Sequence, residues 1–277
     1  MAYADDRVKT FRQLHADPGC FIIPNPWDAG SARILELLGF KALATTSAGL
    51  AFSLAKADGC NAVPRDAALA NAVRIIGATG LPVAADLENG YGAAPEACAE
   101  TIRQAIAIGL SGGSIEDSTG EDGEAIFDIG AATDRVRAAV EAARGSGRDF
   151  VLTARAENFL HGRRDLHDTI TRLQAYQEAG ADVLFAPGLR TADEIRAVTS
   201  SVDRPVNVIM GLKDVHFSVS ELAELGVKRI SVGSSLARAA IGAFMTAARE
   251  MADSGTFTFG DSAMPHADVN RLFMPKH

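Results

Sequence analysis

Residues 82–117, PVAADLENGYGAAPEACAETIRQAIAIGLSGGSIED, contain one complete strand–helix–strand unit. Residues 82–85 form a short apolar run that is typical of a buried strand, and residues 96–108 carry apolar side chains at helical spacing. Gly109 follows that stretch, where glycine commonly ends a helix. A second apolar run begins at residue 113. This order predicts two parallel strands joined by a helical crossover.

The same alternation extends over the rest of the chain. Apolar runs predict strands at 21–23, 42–44, 82–85, 113–115, 150–152, 182–185, 206–208 and 229–232, and helical stretches lie between them at 29–38, 66–78, 96–108, 130–144, 167–179, 191–199 and 218–224. Eight such units predict an α/β fold, a (β/α)8 TIM barrel. The alternative is a doubly wound sheet, whose glycine-rich loop should follow the first strand, where Pro24-Asn25-Pro26-Trp27-Asp28 stands instead.

The chain length of 277 residues fits one barrel domain spanning 1–277. Residues 234–253 have the pattern of a long Ala-rich helix, and the whole of 234–277 is interpreted as a C-terminal helical extension beyond the eighth unit. Its apolar residues, among them Phe257 and Phe273, indicate packing on a neighbouring subunit.

Composition excludes several classes of function. The net charge is −8 with a pI near 5.3, so neither nucleic acid nor a membrane surface is an expected partner. Cys20, Cys60 and Cys98 are odd in number and have no CxxC spacing, which indicates neither a disulfide framework nor a zinc site. The polar start of the chain is unlike a signal peptide, and no apolar run reaches about 18 residues. A cytoplasmic location is expected.

Acidic residues follow three neighbouring predicted strands. Asp86 and Glu88 alternate after the third strand and therefore point to the same side, Glu116 follows the fourth, and Asp58 lies in the loop after the second. Active sites of this fold lie at the carboxyl ends of the strands, so these acids are expected to converge there. Clustered carboxylates without a His or Cys set favour Mg2+, or Mn2+, over zinc. Asp117 is interpreted as a supporting residue.

Three further features indicate anion binding at the same end. Arg155 ends the fifth strand, where its guanidinium is expected to bind a substrate carboxylate, an internal ion pair being the compatible alternative. Ser47-Ala48-Gly49 forms a turn of small residues suited to a carboxylate or enolate oxygen. Asn207 on the seventh strand is either a further substrate donor or a satisfied group inside the barrel.

Taken in order, these motifs resemble the isocitrate lyase/phosphoenolpyruvate mutase superfamily over nearly the whole chain. The resemblance is carried by Pro24-Asn25-Pro26-Trp27-Asp28, Ser47-Ala48-Gly49, Asp58-Gly59, Asp86-Leu87-Glu88-Asn89-Gly90-Tyr91-Gly92, Ile115-Glu116-Asp117 and Ala154-Arg155. It implies that Asp86 binds Mg2+ directly while Asp58, Glu88 and Glu116 order its waters. It also implies that the terminal helix is swapped between subunits of a homodimer or homotetramer.

The candidate site follows from the residues and the resemblance together. The catalytic candidates are Asp58, Glu116 and Arg155; the substrate-binding candidates are Ser47, Ala48, Gly49, Asp86, Arg155 and Asn207; the metal-binding candidates are Asp58, Asp86, Glu88 and Glu116.

The sequence departs from two branches of that superfamily. Isocitrate and methylisocitrate lyases carry a Lys-Lys/Arg-Cys-Gly-His motif on the loop after the fourth strand, whereas residues 118–127 here contain no Lys, Cys or His. The phosphonate branch typically has Trp two positions before the serine of the strand-two turn and His at the end of the sixth strand, where this chain has Thr45 and Ala186-Pro187. The acidic loop 118–128, with Gly120 and Gly123 as hinges, is interpreted as a lid.

The function expected first is a Mg2+-dependent lyase or decarboxylase that acts on a small 2-oxo or 2-hydroxy carboxylate through a metal-stabilised enolate. The alternatives are a phosphonopyruvate-type P–C bond enzyme and a non-catalytic 2-oxo acid binder. A sugar-phosphate aldolase would need a Schiff-base lysine inside the barrel, and none of the predicted strands supplies one.

Overall fold

The computed structural model describes residues 2–59, 61–120 and 125–274. Its strands are β1 (Phe21–Ile22), β2 (Leu43–Ala44), β3 (Val83–Asp86), β4 (Gly112–Glu116), β5 (Val151–Arg155), β6 (Val183–Phe185), β7 (Val206–Ile209) and β8 (Arg229–Ser231). The helices are α1 (Ala2–Ala16), α2 (Ala29–Leu37), α3 (Ser47–Ser53), α4 (Arg65–Ala78), α5 (Pro95–Ala107), α6 (Ile129–Gly145), α7 (Leu166–Glu178), α8 (Ala192–Thr199), α9 (Val219–Glu224), α10 (Ser235–Ser254) and α11 (His266–Phe273), with a 3-10 helix at Thr258–Asp261.

The strands form one curled sheet in the order β1-β8-β7-β6-β5-β4-β3-β2, and every paired neighbour runs parallel. β1 and β2 stand at the two ends of this order, and the Ala44 N–H donates to the Pro24 carbonyl at 3.1 Å between them. The arrangement is TIM-barrel-like. It confirms the predicted eight strands, their parallel direction and their alternation with helices.

Three helices lie outside the predicted set. α1 is polar along most of its length, yet Val8 and Phe11, three residues apart, are buried, which explains why a helix forms without a strong apolar stripe. α3 begins where a turn of small residues was expected, and α11 lies within the C-terminal extension. The predicted glycine stop after α5 is confirmed, since Gly109 has φ +92°, a conformation that favours glycine.

Apolar side chains fill two main regions, and a third, small cluster joins Leu50, Ala51 and Val63. The larger cluster lies between the sheet and the surrounding helices, as the parallel-sheet prediction requires. The smaller cluster lies inside the amino end of the sheet, where Phe11 of α1 packs against Ile23, Ala84, Val151 and Val183. This smaller cluster is called the amino-end plug. A Cβ at Gly112 would come within 2.8 Å of the Phe11 ring, so a glycine at this position leaves room for Phe11 in the plug.

On helix α10, Ala237 is the buried residue and several large apolar side chains are exposed, among them Ile241 and Phe244. Within the described ranges, no helix combines the length and apolar character that a bilayer crossing demands. Cys20 and Cys98 are free thiols, and Cys60 lies outside the described residues.

Candidate active site

Asp86 is the central acid of the candidate site. It is the last residue of β3, and its Oδ2 accepts hydrogen bonds from the Ser47 N–H at 3.1 Å and the Ser47 hydroxyl at 2.8 Å. Its Oδ1 accepts from Arg155 Nη1 at 2.9 Å. The structure therefore brings together residues from the carboxyl ends of three strands, as the sequence predicted.

Arg155 connects the acids of this cluster. Its Nη2 lies 3.1 Å from Glu116 Oε2 and its Nε lies 2.8 Å from Glu157 Oε1, in addition to the bond to Asp86. Glu116 and Arg155 are paired residues in the β4–β5 ladder, which explains their proximity. Burial lowers the pKa of Arg155, but Glu116, Glu157 and Asp86 outweigh that effect and raise it, so the guanidinium stays charged. Its predicted ion pair is thus present, and its contact with substrate stays a prediction.

The ionised form is disfavoured at the other acids of this cluster. Burial first, and then the charges of Asp86 and Asp58, raise the pKa of Glu88 to about 7. The pKa of Glu116 is raised mainly by burial, although Arg155 opposes the shift. Asp58 lies at the exposed rim, where partial burial and the charge of Asp86 raise its pKa. Each shift shows that another negative charge is disfavoured here.

The donor set fits a hard divalent cation. Five carboxylates, those of Asp58, Asp86, Glu88, Glu116 and Glu157, interact with one arginine in this cluster, so a cation would relieve their repulsion. In the portion of the chain that is described, no three His, Cys, Asp or Glu side chains converge as a complete ligand set. Mg2+ binds through one or two carboxylates and keeps several waters, so an incomplete protein set suits it.

The segment Ser47-Ala48-Gly49 forms the first turn of helix α3, which corrects the predicted turn of small residues. Thr46 caps the helix, because its Oγ1 accepts from the Gly49 N–H at 3.2 Å. A Cβ at Gly49 would lie 2.6 Å from Thr46 Cγ2 and 2.9 Å from Trp27 Cβ, so only glycine fits. Ala48 and Gly49 are buried, and Ser47 supplies the contacts with Asp86.

Asn207 lies deeper inside the sheet. Its Nδ2 donates to Ser231 Oγ at 2.9 Å and its Oδ1 accepts from Arg229 Nε at 2.9 Å. These bonds match the interior role that the sequence left open. A cavity of about 100 Å³ is lined by Asn207 together with Asp86 and Arg155, so the residue shares a space with the cluster.

A buried network behind the cluster was only partly predicted. Asp117 Oδ1 accepts from the Glu157 N–H at 2.8 Å, and its Oδ2 accepts from Arg172 Nη1 at 2.9 Å and from the Tyr176 hydroxyl at 2.6 Å. Arg172 also donates to the Phe127 carbonyl at 2.9 Å. Asp117 thus holds Glu157 beside Arg155, and its supporting role in the function of the site stays a prediction. The signal in the sequence was the four-residue spacing of Arg172 and Tyr176 on α7, one helical turn apart.

The loop after β4 is described at both ends. Ser118 and Ile126 form an isolated antiparallel bridge, and the Thr119 N–H donates to the Ala125 carbonyl at 3.0 Å. Gly120 has φ +71°, a conformation that favours glycine at this bend. The predicted hinge Gly123 and the acids at 121, 122 and 124 lie outside the described residues.

Fold and cluster together define a TIM-barrel-like protein with an acid–arginine site at the carboxyl ends of its strands. The chain belongs to the phosphoenolpyruvate phosphomutase family, whose model matches residues 11–252, and thereby to the phosphoenolpyruvate mutase/isocitrate lyase superfamily. The resemblance predicted from the motifs is confirmed. Members of this superfamily are typically Mg2+-dependent.

Individual relatives cover most of the chain. A solved structure from Burkholderia cenocepacia J2315, to which a lyase or mutase activity is attributed, is 58% identical with a TM-score of 0.95 and covers 98% of this chain and 97% of its own. The structure of 2,3-dimethylmalate lyase is 27% identical with a TM-score of 0.84, covering 98% and 94%. Oxaloacetate decarboxylase of Chromohalobacter salexigens is 27% identical over 253 residues, 90% of this chain and 86% of that protein. Homologues are thus lyases, decarboxylases and hydrolases of small carboxylates.

Proposed function

We propose that this protein is a Mg2+-dependent lyase or decarboxylase that acts on a small 2-oxo or 2-hydroxy carboxylate through a metal-stabilised enolate. The observation that carries the proposal is the Asp86 carboxylate, held by Ser47 and Arg155 within a group of acids that a cation would neutralise. Relatives named as dimethylmalate lyase and oxaloacetate decarboxylase support the carbon–carbon chemistry.

Each residue has a proposed role. Asp86 would bind Mg2+, or Mn2+, directly, while Asp58, Glu88 and Glu116 would hold its waters. The bound ion supplies positive charge that stabilises an enolate oxygen. Arg155 binds the substrate carboxylate through its guanidinium, and the Ser47 N–H and hydroxyl orient the oxygen beside it. Ala48, Gly49 and Asn207 shape this pocket, and Asp58, Glu116 and Arg155 stay the catalytic candidates.

The test is isothermal titration of pyruvate, oxaloacetate, 2-oxoglutarate and phosphonopyruvate with Mg2+ or with EDTA, followed by product analysis. Asp86→Asn should abolish metal-dependent binding and reduce turnover by about 10³-fold or more. Asp134→Asn, on the exposed face of α6, is the matched control and should behave as the parent.

Product analysis separates the rival functions. Pyruvate-type products released by C–C cleavage support the proposal, and phosphate released from phosphonopyruvate would support the P–C enzyme instead. Saturable binding without turnover would support the oxo-acid binder. Binding that is unaffected by EDTA and by Asp86→Asn would refute the metal site.

We also propose that residues 1–277 form one domain whose extension, 234–277, packs on a second copy in a homodimer or homotetramer, with α10 swapped between subunits. The support is the row of exposed apolar side chains along this extension, Leu236, Ile241, Phe244, Met245, Met251 and Phe257. Light scattering of the parent and of a Phe244→Glu, Ile241→Glu double variant tests it. A monomeric parent would contradict the proposal.

A further inference from the structure

Residues 87–93, called the β3 loop, follow Asp86 directly and have a strained backbone. Glu88, Gly90 and Tyr91 have positive φ angles of +48°, +79° and +60°. Glycine adopts this left-handed conformation freely, whereas residues with a Cβ, such as Glu88 and Tyr91, rarely do. Such strain persists only where the surrounding structure fixes the backbone. The β3 loop therefore depends on partners that hold it.

Arg135 of α6 binds the β3 loop through its guanidinium. Its Nη1 donates to the Gly92 carbonyl at 2.7 Å and to the Ala93 carbonyl, and its Nη2 donates to the Asn89 carbonyl. The residue is 1% exposed, and its Cζ lies 4.2 Å from the centroid of the Phe127 ring. Hydrogen bonds from a charged donor are stronger than neutral ones, and the planar fork of N–H groups fixes several acceptors together. One buried side chain thus anchors three carbonyls of the loop.

Helix α5 binds the same loop through two further side chains. Thr101 Oγ1 donates to the Gly90 carbonyl at 2.8 Å, and Cys98 Sγ donates to the Asn89 carbonyl at 3.6 Å. A Cβ at Gly90 would lie 2.7 Å from Cys98 Sγ, so the loop packs on α5 without room for a side chain at this position. The carbonyls of residues 89, 90, 92 and 93 are consequently all bonded to α5 or α6.

The first part of the β3 loop carries Glu88 into the carboxylate cluster. The Glu88 N–H donates to Asp86 Oδ1 in a long hydrogen bond of 3.4 Å, and the Glu116 N–H donates to the Glu88 carbonyl at 3.0 Å. The Glu88 carboxylate is partly buried there, and the charges of Asp86 and Asp58 act against its ionisation. Carboxylates that repel each other would separate if the backbone were free to move. The bonds that α5 and α6 make to the loop oppose that separation.

We propose that Arg135 is a positioning residue of the candidate metal site, which keeps the strained β3 loop in the conformation that sets Glu88 beside Asp86. This inference rests on the proposed function, in which Asp86 binds Mg2+ and Glu88 orders its waters. Arg135 acts through the loop backbone, because its hydrogen bonds go to carbonyl groups of the loop. Without these bonds the loop relaxes, Glu88 moves away from Asp86 and the affinity for the cation falls, while Ser47 and Arg155 keep their places.

Arg135→Lys tests the proposal, because lysine keeps the charge but lacks the fork that reaches three carbonyls. Calorimetric titration of Mg2+ should show about 10- to 100-fold weaker binding, the usual effect of losing a residue that supports metal ligands. Turnover at saturating Mg2+ should stay within about threefold of the parent, so the loss lies in the Mg2+ dependence and not in kcat. Arg137→Lys, which changes an exposed arginine of the same helix, is the matched control and should alter neither quantity.

Arg135→Ala adds a measurement that a loss of stability alone does not reproduce. This variant removes the cation and leaves the three carbonyl acceptors and the Phe127 ring that surrounded it. Guanidinium chloride at millimolar concentration should therefore restore most of the Mg2+ affinity, whereas sodium chloride at equal concentration should not. Recovery with guanidinium alone supports the proposal. Equal recovery with both salts, or with neither, contradicts it.

Hydrogen exchange in EDTA separates this inference from the proposed function, because it requires no bound cation. In Arg135→Lys the amides of residues 88–93 should exchange faster than in the parent, and those of α1 and α10 should exchange at the parent rate. Faster exchange confined to the loop supports the hold of Arg135 on it even if the parent binds no Mg2+ and the metal site fails. Faster exchange throughout the chain, or a Mg2+ affinity equal to that of the parent, would overturn the inference.

Discussion

The carboxyl ends and the amino ends of the eight strands form opposite ends of the barrel-like sheet, and the two ends bury charges of opposite sign. At the carboxyl end, Asp86, Glu88 and Glu116 surround one guanidinium, and burial raises the pKa of Glu88 to about 7. At the amino end, Arg229 of β8 is buried among neutral groups, and burial lowers its pKa to about 9. Within the part of the chain that the structure describes, one end has an excess of acids and the other holds a cation without a carboxylate partner.

At the amino end, the buried Arg229 guanidinium is hydrogen-bonded to neutral groups, and one of them is the neutral imidazole of His15. His15 Nδ1 lies 2.8 Å from the Phe11 carbonyl, which only accepts, so Nδ1 carries the proton. Nε2 therefore accepts from Arg229 Nη1 at 3.2 Å, while Thr153 and Asn207 accept from the other two nitrogens at 2.9 Å. Burial first and then Arg229 lower the pKa of His15 to about 3. The amino end is thus internally satisfied, whereas the carboxyl end gathers several carboxylates around one arginine, and this fold places its active sites at that end.

The largest expected effect is a loss of folding stability from a substitution at the amino end, where ligand binding should not change. Phe11 is fully buried in the amino-end plug, so Phe11→Ala should lower the free energy of unfolding by about 3–5 kcal/mol, measured by urea denaturation. The affinity of the folded variant for 2-oxo acids should stay at the parent value. Asp86→Asn is the opposite case, with lost ligand binding and little loss of stability. A Phe11→Ala protein that folds but binds no ligand would break the comparison.

His15 gives the amino end a pH dependence. Its pKa is about 3 in the folded chain and near 6.5 when unfolded, so the unfolded chain takes up the proton first and stability falls as pH drops below 6.5. The loss should reach roughly 2–3 kcal/mol at pH 4.5. His15→Gln, which does not titrate, should flatten this slope in denaturation curves recorded from pH 7.5 to 4.5. An unchanged slope would show that His15 is not the titrating group.

The sequence predicted the architecture well because strand and helix periods are local properties. Eight apolar runs separated by helical stretches were sufficient to indicate eight parallel strands, and the strand-end acids then had to meet at one edge. Asp86, Glu116 and Arg155 are accordingly found in contact. Each of the three is the last residue of its strand, so locating the strands in the sequence was enough to predict that these side chains lie together.

Other features depend on side chains far apart in sequence and were not predictable in this way. The Arg229–His15 contact joins positions 214 residues apart, and Arg65 and Tyr91 face one cavity only through the arrangement of three loops. α1 was missed because its pattern is mostly polar, and its burial depends on the plug formed by Phe11. Ser47-Ala48-Gly49 was expected to form a turn but begins a helix, because the Thr46 side chain caps that helix. Small residues are compatible with both structures, so composition alone did not distinguish them.

Glu88 should give the carboxyl end the opposite pH dependence. In the metal-free protein the folded pKa of about 7 lies above the unfolded value near 4.5, so the folded chain keeps the proton longer and stability falls as pH rises from 4.5 to 7. With allowance for solvent screening of this half-buried group, Glu88→Gln should recover about 2 kcal/mol at pH 7.5 in EDTA. A variant that is less stable than the parent at pH 7.5 would mean that ionised Glu88 is favoured in the fold.

Metal binding should produce the smallest stability effect and bears on the carboxyl end alone. Mg2+ at ten times its dissociation constant should stabilise the parent by about 1.4 kcal/mol, because it binds the folded chain and not the unfolded one. Since the added cation compensates the acids, it should also reduce the pH slope assigned to Glu88 while leaving the His15 slope unchanged. Thermal denaturation with Mg2+ or with NaCl of equal ionic strength measures both effects. Equal stabilisation of Asp86→Asn would place the cation elsewhere, and loss of the His15 slope on adding Mg2+ would mean that the two ends are coupled.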